Sequence, residues 1–91
     1  RNLAWTIEYS SSALKSLKKM DKQFARRIVG YLDDKVAVLD DPRTLGKALK
    51  GELGEYWRYR VGDYRVLCEI QDDKVIILAA AIGHRKEIYK A

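Results

Sequence analysis

The segment Tyr56-Trp57-Arg58-Tyr59-Arg60-Val61-Gly62-Asp63-Tyr64-Arg65-Val66-Leu67 carries the strongest structural signal in this chain. Two runs rich in aromatic and β-branched residues flank Gly62-Asp63, and a glycine that accepts positive φ is what a tight hairpin turn requires. A β-hairpin is predicted. With a two-residue loop, Val61 faces Tyr64, Arg60 faces Arg65, Arg58 faces Leu67 and Tyr56 faces Glu69. Alternation then sends Arg58, Arg60 and Arg65 to one face and Trp57, Tyr59, Tyr64 and Val66 to the other. Like charges directly opposite one another across a strand pair are destabilising, and an anion between Arg60 and Arg65 would remove that conflict. Guanidinium forks suit phosphate, so three converging arginines point to a phosphate-binding sheet face.

Toward the C-terminus, Val66 to Ile70 continues the second strand and Asp72-Asp73 reads as another short turn. Val75 to Ile82 is an unbroken apolar run, which fits a strand central in its sheet or covered on both sides. Pairing through this turn sets Ala80 opposite Arg65 and leaves room above the sheet. Gly83 to Ala91 is a polar tail with His84, Arg85, Lys86 and Tyr89.

Toward the N-terminus, Gly46, Gly51 and Gly54 break the pattern between Arg43 and Glu55. Lys47 and Lys50 lie in this connection, either at the edge of the basic face or as solvated loop lysines. Asp21 is a cap candidate for a helix in which Phe24, Ile28, Leu32, Val36 and Leu39 recur at spacings of three and four. It should stop at Asp40-Asp41-Pro42, since proline disfavours a helical residue before it. One of Ser10, Ser11 and Ser12 should cap an earlier helix with Ala13, Leu14, Leu17 and Met20 on its apolar side. Leu3 to Tyr9 suits a first strand.

The result is an α+β fold of order β-α-α-β-β-β, a helical hairpin packed on a mainly antiparallel, twisted sheet. Ninety-one residues, 47% hydrophobic and 34% charged, are expected to form one globular domain, 1–91. No apolar run reaches the roughly 20 residues that span a bilayer, and the N-terminus lacks the plan of a signal peptide, so no membrane is expected and the cytoplasm is the expected location. Cys68 is the single cysteine, which excludes an internal disulfide and leaves no metal-ligand spacing. A net charge of +5 favours an anionic partner, nucleic acid or an acidic protein.

There is no glycine-rich phosphate loop, no metal cluster and no carboxylate pair set for acid and base work, so no cofactor is expected. The available chemistry is a set of cations, Arg58, Arg60, Arg65 and Arg85, beside His84 and Tyr89. RNA carries its own nucleophile, the 2′-OH, so its cleavage needs in-line positioning, charge stabilisation and proton transfer. Tyr89 is suited either to stacking on a nucleobase or to pinning the tail onto the domain. His84 is a candidate for acid–base work, to which histidine as a residue type is suited, or is an incidental surface histidine.

The ordered set Leu49-Lys50-Gly51, Tyr56-Trp57-Arg58, Val61-Gly62-Asp63-Tyr64-Arg65 and Gly83-His84-Arg85-Lys86-Glu87-Ile88-Tyr89 resembles the RelE toxins of the RelE/ParE superfamily. The resemblance covers essentially the whole chain. It implies a toxin of a type II toxin–antitoxin system that enters the ribosomal A site, against small-subunit rRNA, and cuts mRNA there through 2′-OH attack. It also implies a RelB-like antitoxin as partner. By the same resemblance Arg65 contacts the scissile phosphate, Arg85 stabilises transition-state charge and Tyr89 stacks on the substrate base. Arg58 and Tyr56 stand where well-known members have lysines, one of them proposed as general base. A guanidinium is a poor proton acceptor, which passes the base role to His84, Lys50 or Glu52, or leaves the reaction to electrostatics and the ribosome. Lys47, Lys50, Arg60, Tyr56 and Lys86 are further RNA-binding candidates. The alternatives are a ParE-like, non-catalytic inhibitor of DNA gyrase and an inactive toxin homologue.

Overall fold

The computed structural model of the chain describes residues 4–49 and 54–84. Strand β1 (Thr6–Tyr9) leads into helices α1 (Ser11–Lys19) and α2 (Lys22–Tyr31), and α2 widens at its end into a π-helical stretch, Leu32–Val36. A 3₁₀ turn (Pro42–Thr44) and the short strand β2 (Lys47–Ala48) precede the hairpin of β3 (Trp57–Val61) and β4 (Tyr64–Gln71). Strand β5 (Ile76–His84) completes a five-stranded sheet of order β1-β5-β4-β3-β2, in which β1 runs parallel to β5 and the other pairs are antiparallel. The α+β class and the two helices on a mainly antiparallel sheet are as expected, with β2 an addition in what the sequence suggested was loop.

Both helix caps form. Ser10 is the capping serine: its hydroxyl oxygen accepts from the Ala13 N–H at 3.0 Å and donates to the Ala80 carbonyl at 2.7 Å, tying α1 to β5. Asp21 Oδ1 accepts from the Gln23 N–H at 2.8 Å. Helix α2 does not run to Asp40. From Leu32 the turns widen, with the Ala37 N–H donating to the Leu32 carbonyl at 2.8 Å, and this lets Leu32, Val36 and Ala37 all be buried. The core joins these residues to Ile28, Tyr59, Val66, Cys68, Ile77 and Ala79. Leu14 and Phe24, expected in the apolar stripes, are 44% and 45% exposed. Ala13 takes the buried position on α1, and Phe24 lies at the hairpin tip, its ring centroid 5.7 Å from that of Tyr64.

The hairpin register is the expected one, with Val61 opposite Tyr64, Arg60 opposite Arg65 and Arg58 opposite Leu67. The next turn differs. Asp72 to Val75 form a four-residue loop, with Val75 at φ +56°, in place of a turn of Asp72-Asp73 alone. A bulge then leaves Ala80 unmatched between the pairs Leu67–Ala81 and Cys68–Ala79. Longer loop and bulge together place Gly83, not Ala80, opposite Arg65, and extend the strand through residues read as tail.

Aromatic side chains with polar tips fasten the segment before β2. Trp5 Nε1–H donates to the Asp40 carbonyl (3.3 Å), the Tyr59 hydroxyl to the Pro42 carbonyl (2.6 Å) and Trp57 Nε1–H to the Leu45 carbonyl (2.6 Å). Arg43 forms a two-pronged pair with Asp72, at 3.0 and 2.8 Å, which joins the 3₁₀ turn to the β4–β5 loop. Gly46 follows at φ +77°, where a Cβ would lie 2.5 Å from the Arg58 carbonyl oxygen. These ties hold β2 against β3.

Candidate functional site

Residues directly opposite in a sheet share a face, so the register assembles the site. Lys47 is opposite Arg58, Arg58 opposite Leu67, and Leu67 opposite Ala81; one step along, Arg60 is opposite Arg65 and Arg65 opposite Gly83. Lys47, Arg58, Arg60 and Arg65 therefore stand on one face, away from the core that Tyr59, Val61 and Val66 enter. The small Ala81 and Gly83 adjoin them on β5. Lys47, an edge candidate in the sequence, joins the arginines because β2 exists.

Arg65 is 8% exposed, and its Nη1 donates to the carbonyls of Gly62 (3.2 Å) and Tyr64 (3.1 Å), folding the guanidinium over the hairpin tip. Arg43 pairs with the carboxylates of Asp41 and Asp72, whereas Arg65 meets carbonyl oxygens instead of a carboxylate. A buried cation without a counter-charge, facing a second arginine, is a place where an anion gains most. Glu69, farther along β4 on the same face, accepts a hydrogen bond from Gln71 at 3.1 Å.

The other candidates fall in different places. Tyr56 is half-buried and lines a groove of about 250 Å³ with Arg43, Ala48 and Trp57. His84 is opposite Tyr64, with their rings edge-on at 5.8 Å, and so stands on the helix side of the sheet, apart from the arginines. Lys50, Glu52, Arg85, Lys86 and Tyr89 lie outside the described residues. Arg27 was missed by the sequence: its Nη1 would be 3.2 Å from a Cβ at Gly62, against the hairpin tip. Its i+3 spacing from Phe24 was the available signal.

Titration behaviour removes several groups from acid–base chemistry. Burial pushes the Cys68 thiol up to about 12, which makes it a core residue and not a nucleophile. Burial, with a smaller contribution from Asp33, pushes the Tyr9 phenol up to about 12, and burial likewise raises Tyr59. Among the described residues no group of three His, Cys, Asp or Glu side chains could hold a metal ion, and no helix is long and apolar enough to cross a membrane.

Fold and face define a small α+β protein that carries helices on one side of its sheet and a cluster of cations on the other. A sequence model of the family described as "ParE toxin of type II toxin-antitoxin system, parDE" matches residues 7–89, and the chain belongs to this family, within the RelE/ParE superfamily of toxins. Toxin RelG of Mycobacterium tuberculosis is 25% identical over 88 residues, covering 97% of the chain and 99% of RelG. The mRNA interferase toxin RelE of Escherichia coli is 27% identical over 90 residues, covering 96% of the chain and 92% of that toxin. In structure, the chain is similar to a chain of the Mycobacterium tuberculosis toxin–antitoxin complex RelBE2, with a TM-score of 0.82, 23% identity and coverage of 96% and 98%.

Proposed function

We propose that this type II toxin is a ribosome-dependent mRNA endonuclease, acting in the cytoplasm at the ribosomal A site and neutralised by a RelB-like antitoxin. The observation that carries the proposal is Arg65, buried on the hairpin carbonyls without a carboxylate and opposite Arg60 on the face that also holds Lys47 and Arg58. Its likeness to an mRNA interferase toxin supports the activity, and its likeness to a chain of a toxin–antitoxin complex supports the partner. A basic face suits an acidic antitoxin segment as well as it suits RNA.

In this reading the phosphodiester lies over the paired arginines. The 2′-oxygen attacks phosphorus as it loses its proton, the bond to the 5′-oxygen breaks, and the departing oxygen takes a proton from solvent, so that the products are a 2′,3′-cyclic phosphate and a 5′-hydroxyl. Arg65, with Arg85 from the tail, stabilises the charge that grows on the phosphorane oxygens, while Lys47, Arg58 and Arg60 hold neighbouring phosphates. Tyr56, Lys50 and Lys86 are proposed to contact the RNA, and Tyr89 to stack on a base. The proton of the 2′-OH passes to Lys50, Glu52 or a ribosomal group, because His84 stands on the opposite face. With arginines in place of a tunable base, the chain's own contribution is positioning and charge.

The test compares Arg65→Met, Arg58→Gln and Lys47→Gln in a reconstituted translation system. Arg65→Met should lower the cleavage rate by at least 10²-fold, the usual scale for removing a charge-stabilising donor, and the other two by less. Because Arg65 is buried, melting curves must accompany the rates, and a loss of cleavage in a folded variant is the supporting result. Unchanged cleavage by folded Arg65→Met would contradict the assignment. The description of the matching family as ParE keeps gyrase inhibition as a second reading, for which expression would block replication with mRNA left intact.

A further inference from the structure

We infer that the helix-side groove at the hairpin tip is a second RNA-binding site, in which Phe24, Tyr64 and His84 receive an unpaired base and Arg27 its phosphate. The inference takes its ligand class from the RNA chemistry proposed above and extends it to the opposite face of the sheet. The groove, about 350 Å³, is lined by Phe24, Arg27, Tyr64 and His84, with Val61, Gly62 and the acid Asp63 from the hairpin tip. A second groove of about 420 Å³ shares Tyr64 and His84 and continues past Lys19.

Three features select the occupant. Phe24 is 45% exposed although its helical position matches the core stripe, and its ring lies 5.7 Å from that of Tyr64, which in turn meets His84 edge-on at 5.8 Å. Rings grouped at an open hollow beside an arginine are what proteins use to stack a base and hold its phosphate. The surrounding helices are basic: Lys15, Lys18, Lys19, Lys22, Arg26 and Arg27 occur in residues 11–31 against a single acid, Asp21, whose carboxylate is engaged at the α2 cap. Finally, Tyr64 and Arg65 are consecutive and project to opposite faces, so one single strand rounding the tip reaches both sites. A glutamate-rich peptide would match the charge but not the rings.

The probe is an uncleavable 2′-O-methyl hexanucleotide, titrated into the full chain without ribosomes and followed by NMR of the aromatic and arginine side chains. The expected result is shifts of the Phe24, Tyr64 and His84 rings, with Phe24→Ala and Arg27→Gln each weakening binding roughly five- to tenfold and Leu14→Ala, on another exposed apolar position, leaving it unchanged. Shifts confined to the Lys47, Arg58 and Arg60 face would overturn the site, as would a glutamate-rich peptide moving these rings where the oligonucleotide does not. The wild-type map decides even where a variant fails to fold. Because neither ribosomes nor RNA cleavage enter the titration, failure of the endonuclease reading shows separately, as absence of cuts on translating ribosomes.

Discussion

Gly46 and Gly62 both have positive φ, +77° and +60°, yet their surroundings differ. A Cβ at Gly46 would lie 2.5 Å from the Arg58 carbonyl oxygen and 2.7 Å from Trp57 Nε1, whereas at Gly62 its nearest neighbour is the flexible Arg27 guanidinium at 3.2 Å. Gly46→Ala should cost about 2–4 kcal/mol of stability and Gly62→Ala about 1 kcal/mol, as measured by urea denaturation. Equal costs would contradict the contacts described. Gly62 was legible in the sequence because its turn is local. The need for Gly46 was not, since it arises from residues eleven and twelve positions away that approach only when β2 pairs with β3. The burial of Arg65 was likewise hidden, because a guanidinium bonded to backbone carbonyls leaves no mark on side-chain pattern.

At the scale of elements, the Arg43–Asp72 pair shows how loops position the site. The Arg43 guanidinium lowers the Asp72 carboxyl below its ordinary 3.8. A depressed carboxyl contributes stability above the unfolded pKa and loses it as pH falls through the folded value. Asp72→Asn should therefore lower Tm by a constant amount above about pH 5, with the difference shrinking in acid below 3.8. A difference independent of pH would sink this account. The hairpin and the shared face of Arg58, Arg60 and Arg65 followed from period-two alternation and one glycine. The third strand of the meander did not. A two-residue turn without a bulge puts His84 on the arginine face, and the one extra residue at Ala80 reverses that alternation. No residue type around Ala80 announces the bulge; it is held by Ser10, seventy positions away, through the Ala80 carbonyl.

At the scale of the whole molecule, cations lie on both sides: Lys47, Arg58, Arg60 and Arg65 on the sheet, and those of α1 and α2 on the helices. RNA binding should weaken steeply as salt rises. Arg60→Gln should flatten the plot of log affinity against log salt by about 0.7, the value of one phosphate contact to a single strand. An unchanged slope would remove Arg60 from the interface. The class of fold and the family were legible because an ordered set of short motifs runs along nearly the whole chain, and the sequence model of the family spans residues 7–89.

The central claim, cleavage of mRNA by this toxin on the ribosome, is tested most directly by primer extension on a defined message with the purified protein, in the presence and absence of ribosomes. Cuts confined to A-site codons and dependent on ribosomes are the predicted result. An intact message under both conditions, with the protein folded, would contradict the claim and point to gyrase inhibition or an inactive homologue. Cuts without ribosomes would contradict it differently, by requiring a self-sufficient active site.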